Sequence, residues 1–147
     1  MKLHTEKITL KHMQDFLEHA RPLDIQEAEL EGTKFTDLPL SEFDSCRSLV
    51  DEDNNVFAIG GIVADMDGYG YVWMLCTTRV EQYKITFLRY TKRLLKSTFS
   101  LGFCTCLRNK AWIENKLHIK WLTWMGAIWS DKTDDPRFRY FTFREEN

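Results

Sequence analysis

Residues 46–77, CRSLVDEDNNVFAIGGIVADMDGYGYVWMLCT, hold three apolar runs parted by two short breaks, DEDNN (51–55) and DMDG (65–68). Apolar runs rich in β-branched and aromatic residues, bounded by turn residues, predict three strands. Breaks this short favour antiparallel hairpins. The segment RVEQYKITFLRYTKRLLKSTFSLG (79–102) follows and predicts one long helix ending at Gly102. Val80, Lys84, Phe87, Leu88, Leu94 and Leu95 fall mostly on one side of it, and Arg89, Lys92, Arg93 and Lys96 on another. The basic set reads as a solvated helix face. A three-stranded meander feeding a long amphipathic helix points to a mixed α/β architecture.

The flanks extend the pattern. KITL (7–10) predicts a first strand, and the region after it, HMQDFLEHARPLDIQEAELEG, has helical composition. Pro22 splits that region into two helices, because proline is tolerated at a helix start and not inside. Gly32 is a stop signal. In TDLPLSEFD (36–44), Asp37 as a cap and Pro39 in a first turn predict a short helical piece. Gly60-Gly61 inside the third strand signals a bulge or a close backbone approach. FCTCLRNKAWI predicts a fifth strand. ENKLHIKWLTWMGAIW (114–129) then reads as a helix N-capped by Asn115 and closed by Gly126. Lys116, Lys120 and Thr123 share its narrow polar face, opposite Leu117, His118, Trp121, Leu122 and Met125. AIW and RFRYFTF (137–143), joined through SDKTDDP, predict a closing hairpin. The expected fold is a mixed, mostly antiparallel sheet of six or seven strands with helices on both faces.

The chain has 147 residues, 44% of them apolar, which suits a single domain over 1–147 whose core needs no disulfides. A net charge of −2 gives no broad electrostatic case for nucleic acid or an acidic membrane as partner. Cys46, Cys76, Cys104 and Cys106 lack metal-ligand spacing and read as reduced, intracellular thiols, so no metal is expected. Cys104 and Cys106, two apart in a strand, are expected to pack on one sheet face. MKLHTEKITL has charges where a signal peptide needs an apolar run, and no window approaches a membrane span, so a soluble cytosolic protein is expected.

Several of these segments resemble the GNAT superfamily of N-acetyltransferases. The family often ends its fifth strand with Asn and follows it, eleven and twelve positions on, with Gly and an apolar residue. Asn115, Gly126 and Ala127 stand at those spacings. AIGG before GYVWMLCTTRV is similar to the family's third and fourth strands. AIGG, the tryptophan-containing fourth strand and NKLHIKWLTWMGAIW are also similar to small GNAT-like proteins of T7-like phages, a group that includes an internal virion protein. The resemblance covers residues 45–130 well and the N-terminal third poorly.

The resemblance implies acetyl-CoA as cofactor. Its pantetheine arm would pair with the fourth strand, placing Leu75, Cys76 and Thr77 beside it, with a strand N–H to hold an oxyanion. Its diphosphate would meet the turn into the long helix, where backbone N–H groups cradle anions. The family pattern there is Arg or Gln, two residues, Gly, one residue, Gly or Ala. Arg79 fits the first position, but Gln82 and Lys84 stand at the glycine positions, with Lys84 a charge that could stand in for lost N–H contacts. Asn115 would orient cofactor or substrate, or serve only as a helix cap. Many GNAT enzymes place a Tyr seven residues after the Asn to protonate the leaving thiolate; here it is Leu122. His118 is the candidate general base, with a satisfied histidine under the helix as the other reading. Trp121, Trp124 and Trp129 read as packing rather than a ligand cage. Tyr71 and Trp73 could line a substrate groove or fill core, and Cys76 has nothing near it in sequence to activate it as an acyl acceptor.

Two functions follow. One is an acetyl-CoA-dependent N-acetyltransferase of phage type, acting on an amine such as one on a host protein. The other is a catalytically inactive GNAT-like accessory that binds a host or virion protein. Both imply the cytoplasm of an infected cell or the virion as location.

Overall fold

The computed structural model describes residues 1–33, 46–64, 68–102 and 104–145. The helical piece expected at 36–44 lies outside them. The elements run β1 (His4–Lys7), α1 (Leu10–His19), α2 (Pro22–Leu30), β2 (Arg47–Val50), β3 (Val56–Ala64), β4 (Tyr69–Cys76), α3 (Arg79–Gln82), α4 (Lys84–Ser100), β5 (Cys106–Trp112), α5 (Lys116–Trp124), β6 (Ile128–Trp129) and β7 (Phe138–Arg144). The strands form one sheet in the order β1-β2-β3-β4-β5-β7-β6, with β4 and β5 parallel. The pairs β1–β2, β2–β3, β5–β7 and β6–β7 are antiparallel. Among the described residues no helix is long and apolar enough to cross a membrane.

Local chemistry sets most boundaries. The first strand is His4–Lys7 rather than 7–10, because Thr9 is taken by the start of α1. Its hydroxyl accepts from the His12 N–H at 3.1 Å, and His12 Nδ1 accepts from the Thr9 N–H at 3.3 Å, a reciprocal capping box. Pro22 opens α2 at its first turn, as expected. Gly32, at φ +94°, closes it: the Thr33 N–H returns to the Ala28 carbonyl and the Gly32 N–H to Glu29. The helix expected over 79–102 is instead two. The chain leaves helical geometry at Tyr83 (φ −126°, ψ 49°), whose ring sits 5.9 Å from that of Phe57.

The chain divides into two compact units, Met1–Gly61 with Trp73–Phe87, and Ile62–Val72 with Leu88–Asn147. In the first, Met13 and Phe16 of α1 and Ala28 of α2 bury themselves against Val50, Val56, Ile59 and Leu75 of the sheet. The β2–β3 register runs from Leu49↔Ala58 to Val50↔Val56, so Phe57 is the extra residue of a β-bulge. A Cβ at Gly60 would lie 2.6 Å from the Trp73 carbonyl oxygen. Of the two readings of Gly60-Gly61, close approach therefore holds, and the bulge sits three residues earlier. In the second unit, Leu107 and Ala111 of β5, Phe141 and Phe143 of β7, Leu122 of α5 and Phe99 of α4 form the core. All four cysteines are buried and free; Cys104 lies just before β5 and Cys106 begins it.

Candidate functional site

The pairing of β4 with β5 begins at Tyr69↔Cys106 and ends at Tyr71↔Arg108. A side chain stops it. Asn109 Nδ2 donates to the Val72 carbonyl at 2.6 Å, while its Oδ1 accepts the Lys110 N–H at 2.7 Å. β4 itself continues to Cys76. The Thr77 N–H donates to the Phe57 carbonyl of β3 at 2.9 Å, so by strand alternation the peptide groups of Met74 and Cys76 face away from β3. Those of Cys76 are committed: its N–H donates to Asp24 Oδ2 at 2.7 Å, and its carbonyl accepts the Arg21 N–H at 2.9 Å. The Thr78 N–H donates to the His19 carbonyl at 2.9 Å, and Ala20 bridges Thr77. Residues 19–24 thus seal the end of the strand. Among the described residues no strand pairs with Met74 on the side away from β3.

The bulge at Phe57 aims two carbonyls at the turn after β4. Thr77 Oγ1 donates to the Val56 carbonyl at 2.8 Å, and Arg79 Nη1 donates to the same oxygen at 2.9 Å. Arg79 also grips Asp15 of α1 with both terminal nitrogens. Within the turn the N–H of Val80 goes to Thr77, that of Glu81 to Thr78 and that of Tyr83 to Arg79. With Thr77 and Thr78, five amides are spent internally. No residue of 77–84 has positive φ, so the backbone is a helical turn with no need of glycine. Gln82 and Lys84 are exposed on it. α4 then opens with the N–H groups of Lys84, Ile85 and Thr86, which have no acceptor inside that helix, and its first turn holds no acidic residue.

Burial is the main reason the Cys76 thiol lies well above its ordinary pKa, and the nearby Asp24 charge pushes it further. It is a packed, protonated thiol. Leu75 is core. Asp24 and Arg21 are both buried and pair at 2.5 Å; Arg21 Nε also reaches Glu81 at 3.0 Å.

In the other unit, Asn115 begins α5 and is fully buried, but its side chain makes no cap bond, contrary to the expected role. Its carbonyl accepts the Ile119 N–H and its own N–H donates to Trp112. His118 is half-buried on the same helix, with Trp121 and Leu122 buried beyond it. Trp129 packs edge-on to Phe141, and its Nε1 donates to Thr123 Oγ1 at 3.0 Å. Trp124 is exposed, as is Tyr71, whereas Trp73 is half-buried against the first core.

Leu75, Cys76, Thr77, Arg79, Gln82 and Lys84 therefore gather in one unit, and Asn115 and His118 in the other. Sequence reading missed Asp15, Arg21, Asp24 and Asn109. Asp24 lies in the first turn of α2, and the Cys76 N–H that it accepts is 52 residues away. Asp15, Glu18 and His19 bring potential metal-ligand atoms within 4.8 Å of one another, but Arg79 already occupies both oxygens of Asp15.

No protein-family model matches the sequence, and no curated protein matches it. Solved structures do match. A GNAT-family acetyltransferase from Bacillus anthracis superposes with a TM-score of 0.77 at 12% identity, over 100% of this chain and 97% of that one. Spermidine N-acetyltransferase from Vibrio cholerae, in complex with CoA and spermine, gives 0.70 at 10% identity, over 97% and 95%. A GNAT-family acetyltransferase from Staphylococcus aureus gives 0.70 at 10% identity, over 99% and 100%. The chain has the GNAT fold: a mixed α/β architecture in which the described residues form a seven-stranded, mostly antiparallel sheet and five helices.

Proposed function

We propose that the protein is a CoA-thioester-dependent N-acyltransferase acting on an amine. The observation that carries this reading is the state of β4: its pairing with β5 ends at Tyr71, where Asn109 takes the Val72 carbonyl, and among the described residues no strand pairs with Met74 on that side before residues 19–24 seal the strand. An extended pantetheine arm, which carries its own amides, needs such a stretch of strand edge. The Vibrio neighbour of the same fold is a CoA complex.

The residues fit the cofactor at the strand and only partly at the turn. Leu75 and Thr77 flank the sealed Cys76, so Met74 is the residue that would pair with the arm. Arg79 is committed to Asp15, leaving Lys84, beside Gln82, and the first-turn amides of α4 to meet the diphosphate. The bound cofactor supplies an acyl group activated as a thioester. A lysine-like acceptor, pKa about 10.4 when free, must lose a proton before attack, and the sequence resemblance supports His118 as the base. Asn115 precedes the helix that carries His118, and its carbonyl accepts the Ile119 N–H. Leu122 protonates nothing, and a thiol of pKa about 8.5 leaves without an acid. In its finer form the reading names acetyl-CoA and a phage-type enzyme whose acceptor is on a host protein, working in the infected cell's cytoplasm or packaged in the virion. The sequence resemblance supports that form.

One observation favours a second reading. Five amides of the turn at 77–83 are spent internally, as in a GNAT scaffold that keeps its sheet to bind a host or virion protein. A thermal-shift titration with acetyl-CoA separates the two, because a ligand of the native state adds about 2.7 kcal/mol of stability at a hundredfold excess over Kd. A rise in Tm followed by CoA release with a polyamine or a lysine peptide supports the enzyme. A flat Tm with millimolar ligand moves the assignment to the binding protein.

A further inference from the structure

Charge is unevenly spread along this chain. Between Leu88 and Ser130 stand eight Lys and Arg residues and one acid, Glu114, so the rest of the chain carries nine net negative charges. The cations are not absorbed by ion pairs. Arg89, Lys92, Arg93 and Lys96 of α4, and Lys116 and Lys120 of α5, are all exposed, and among the described residues none of the six pairs with a carboxylate. The two helices meet on this surface. Lys92 Nζ lies 4.5 Å from the ring centroid of Trp124, which is 48% exposed and stands two turns beyond Lys116 on α5.

We infer that the outer faces of α4 and α5 form a docking surface for a short acidic polypeptide segment of a partner protein. Six uncompensated cations around an exposed indole repel one another and gain from a polyanion. An aromatic beside them adds contact area that a merely solvated face does not need. The size of the patch selects the partner. Helical rise puts about 10 Å between Arg89 and Lys96 and about 12 Å between Lys116 and Trp124. An extended peptide rises about 3.3 Å per residue, so about four residues cross it. A long nucleic acid or a membrane would also meet the field of the whole molecule, whose net charge is −2. A short acidic segment meets the patch alone. The surface does not depend on acyl transfer and would serve either function above.

The test uses the intact protein and a fluorescein-labelled Asp/Glu-rich dodecapeptide read by anisotropy. An uncharged peptide, a single-stranded oligonucleotide of equal charge and phosphatidylserine vesicles are the comparison probes. The acidic peptide should bind at about 50 mM salt and weaken markedly at about 300 mM, where screening is stronger. Lys116→Glu with Lys120→Glu should weaken it about tenfold or more, since each reversal replaces an attraction by a repulsion. Arg89→Glu with Arg93→Glu should do the same, and Trp124→Ala should weaken binding with every charge retained. All the substituted residues are exposed, and circular dichroism and Tm confirm that the variants fold. Equal or tighter binding of the oligonucleotide or the vesicles overturns the inference, as does peptide affinity that the reversals leave unchanged.

Discussion

Arg79 holds Asp15 with two parallel hydrogen bonds, Nη1 to Oδ2 at 2.6 Å and Nη2 to Oδ1 at 3.0 Å, and so ties the turn after β4 to α1. The same carboxylate accepts the Val56 N–H at 2.9 Å. Arg79→Ala removes charge-assisted bonds and leaves Asp15 beside a buried strand, which should cost about 2 kcal/mol in urea unfolding. Arg79→Lys should recover little, because a lysine cannot make the fork. The pH dependence has a definite sign. Burial raises the Asp15 pKa, but Arg79 and the Val56 N–H outweigh it and hold the carboxyl below its usual range. Its stabilising contribution is present above the unfolded value of about 3.9 and is lost as pH falls through the lower folded value. The stability curve of Arg79→Ala should be flatter than wild type across that acid window.

Gly60 faces the Trp73 carbonyl so closely that an added Cβ would sit 2.6 Å from its oxygen. Backbone cannot yield as a side chain tip can. Gly60→Ala should therefore destabilise the protein by about 2 kcal/mol, within the range for overpacking. Gly102→Ala meets no atom of the described residues within 4 Å but sits at φ +78°, and should cost about 1 kcal/mol through backbone strain. Parallel thermal melts compare the two.

These positions also show what a sequence can disclose. Thr9, Pro22, Gly32 and Gly126 act through neighbours a few residues away, so helix ends are local and were readable, although Thr9 was misread as strand. The alternation of β3 and β4 likewise exposes their apolar residues directly. The break at Tyr83 was hidden because it depends on Phe57 and on Arg79's hold on Asp15, contacts 26 and 64 residues distant. The residues that shape the end of β4, Asp24 and Asn109, carry no signal of their own. Asp24 reads as an ordinary first-turn acid and Asn109 as a polar interruption of a strand. The missing glycines at Gln82 and Lys84 were visible. The helical course of 79–82 falls inside the helix expected over 79–102; what the sequence does not show is the turn's hold on the Val56 and Phe57 carbonyls at the bulge.

The four thiols should be silent in the folded protein. Burial pushes Cys46 up to about 11, raises Cys76 well above its usual range with the charge of Asp24 adding to it, and raises Cys104. The thiolate is the reactive form, so an aromatic disulfide reagent should label the native protein only as fast as it opens. Asp24→Asn should leave Cys76 buried and slow to react, yet destabilise the fold by about 3 kcal/mol, because Arg21 keeps its charge without its buried partner. Rapid labelling of Cys76 in the wild type would show the strand end open rather than sealed.

Lys84 and Arg79 make opposite predictions that separate cofactor contact from scaffold. Lys84 is exposed at the first position of α4, where a cation opposes the positive end of the helix dipole. Lys84→Glu should leave the ligand-free Tm unchanged or raise it slightly, by about 0.3–1 kcal/mol of dipole compensation. The same change puts a negative charge where a diphosphate must come, so the Tm rise produced by acetyl-CoA should collapse, with affinity falling about tenfold or more. Arg79→Ala should do the reverse at first order, lowering the ligand-free Tm through loss of Asp15. His118→Ala supplies the third arm. A general base contributes about 10²–10⁴ in rate, so kcat should fall by that order while the acetyl-CoA shift stays intact. If Lys84→Glu leaves the shift untouched, the diphosphate is not held at the start of α4. If His118→Ala turns over normally, that histidine belongs to the packing beneath α5, and the base must be sought elsewhere.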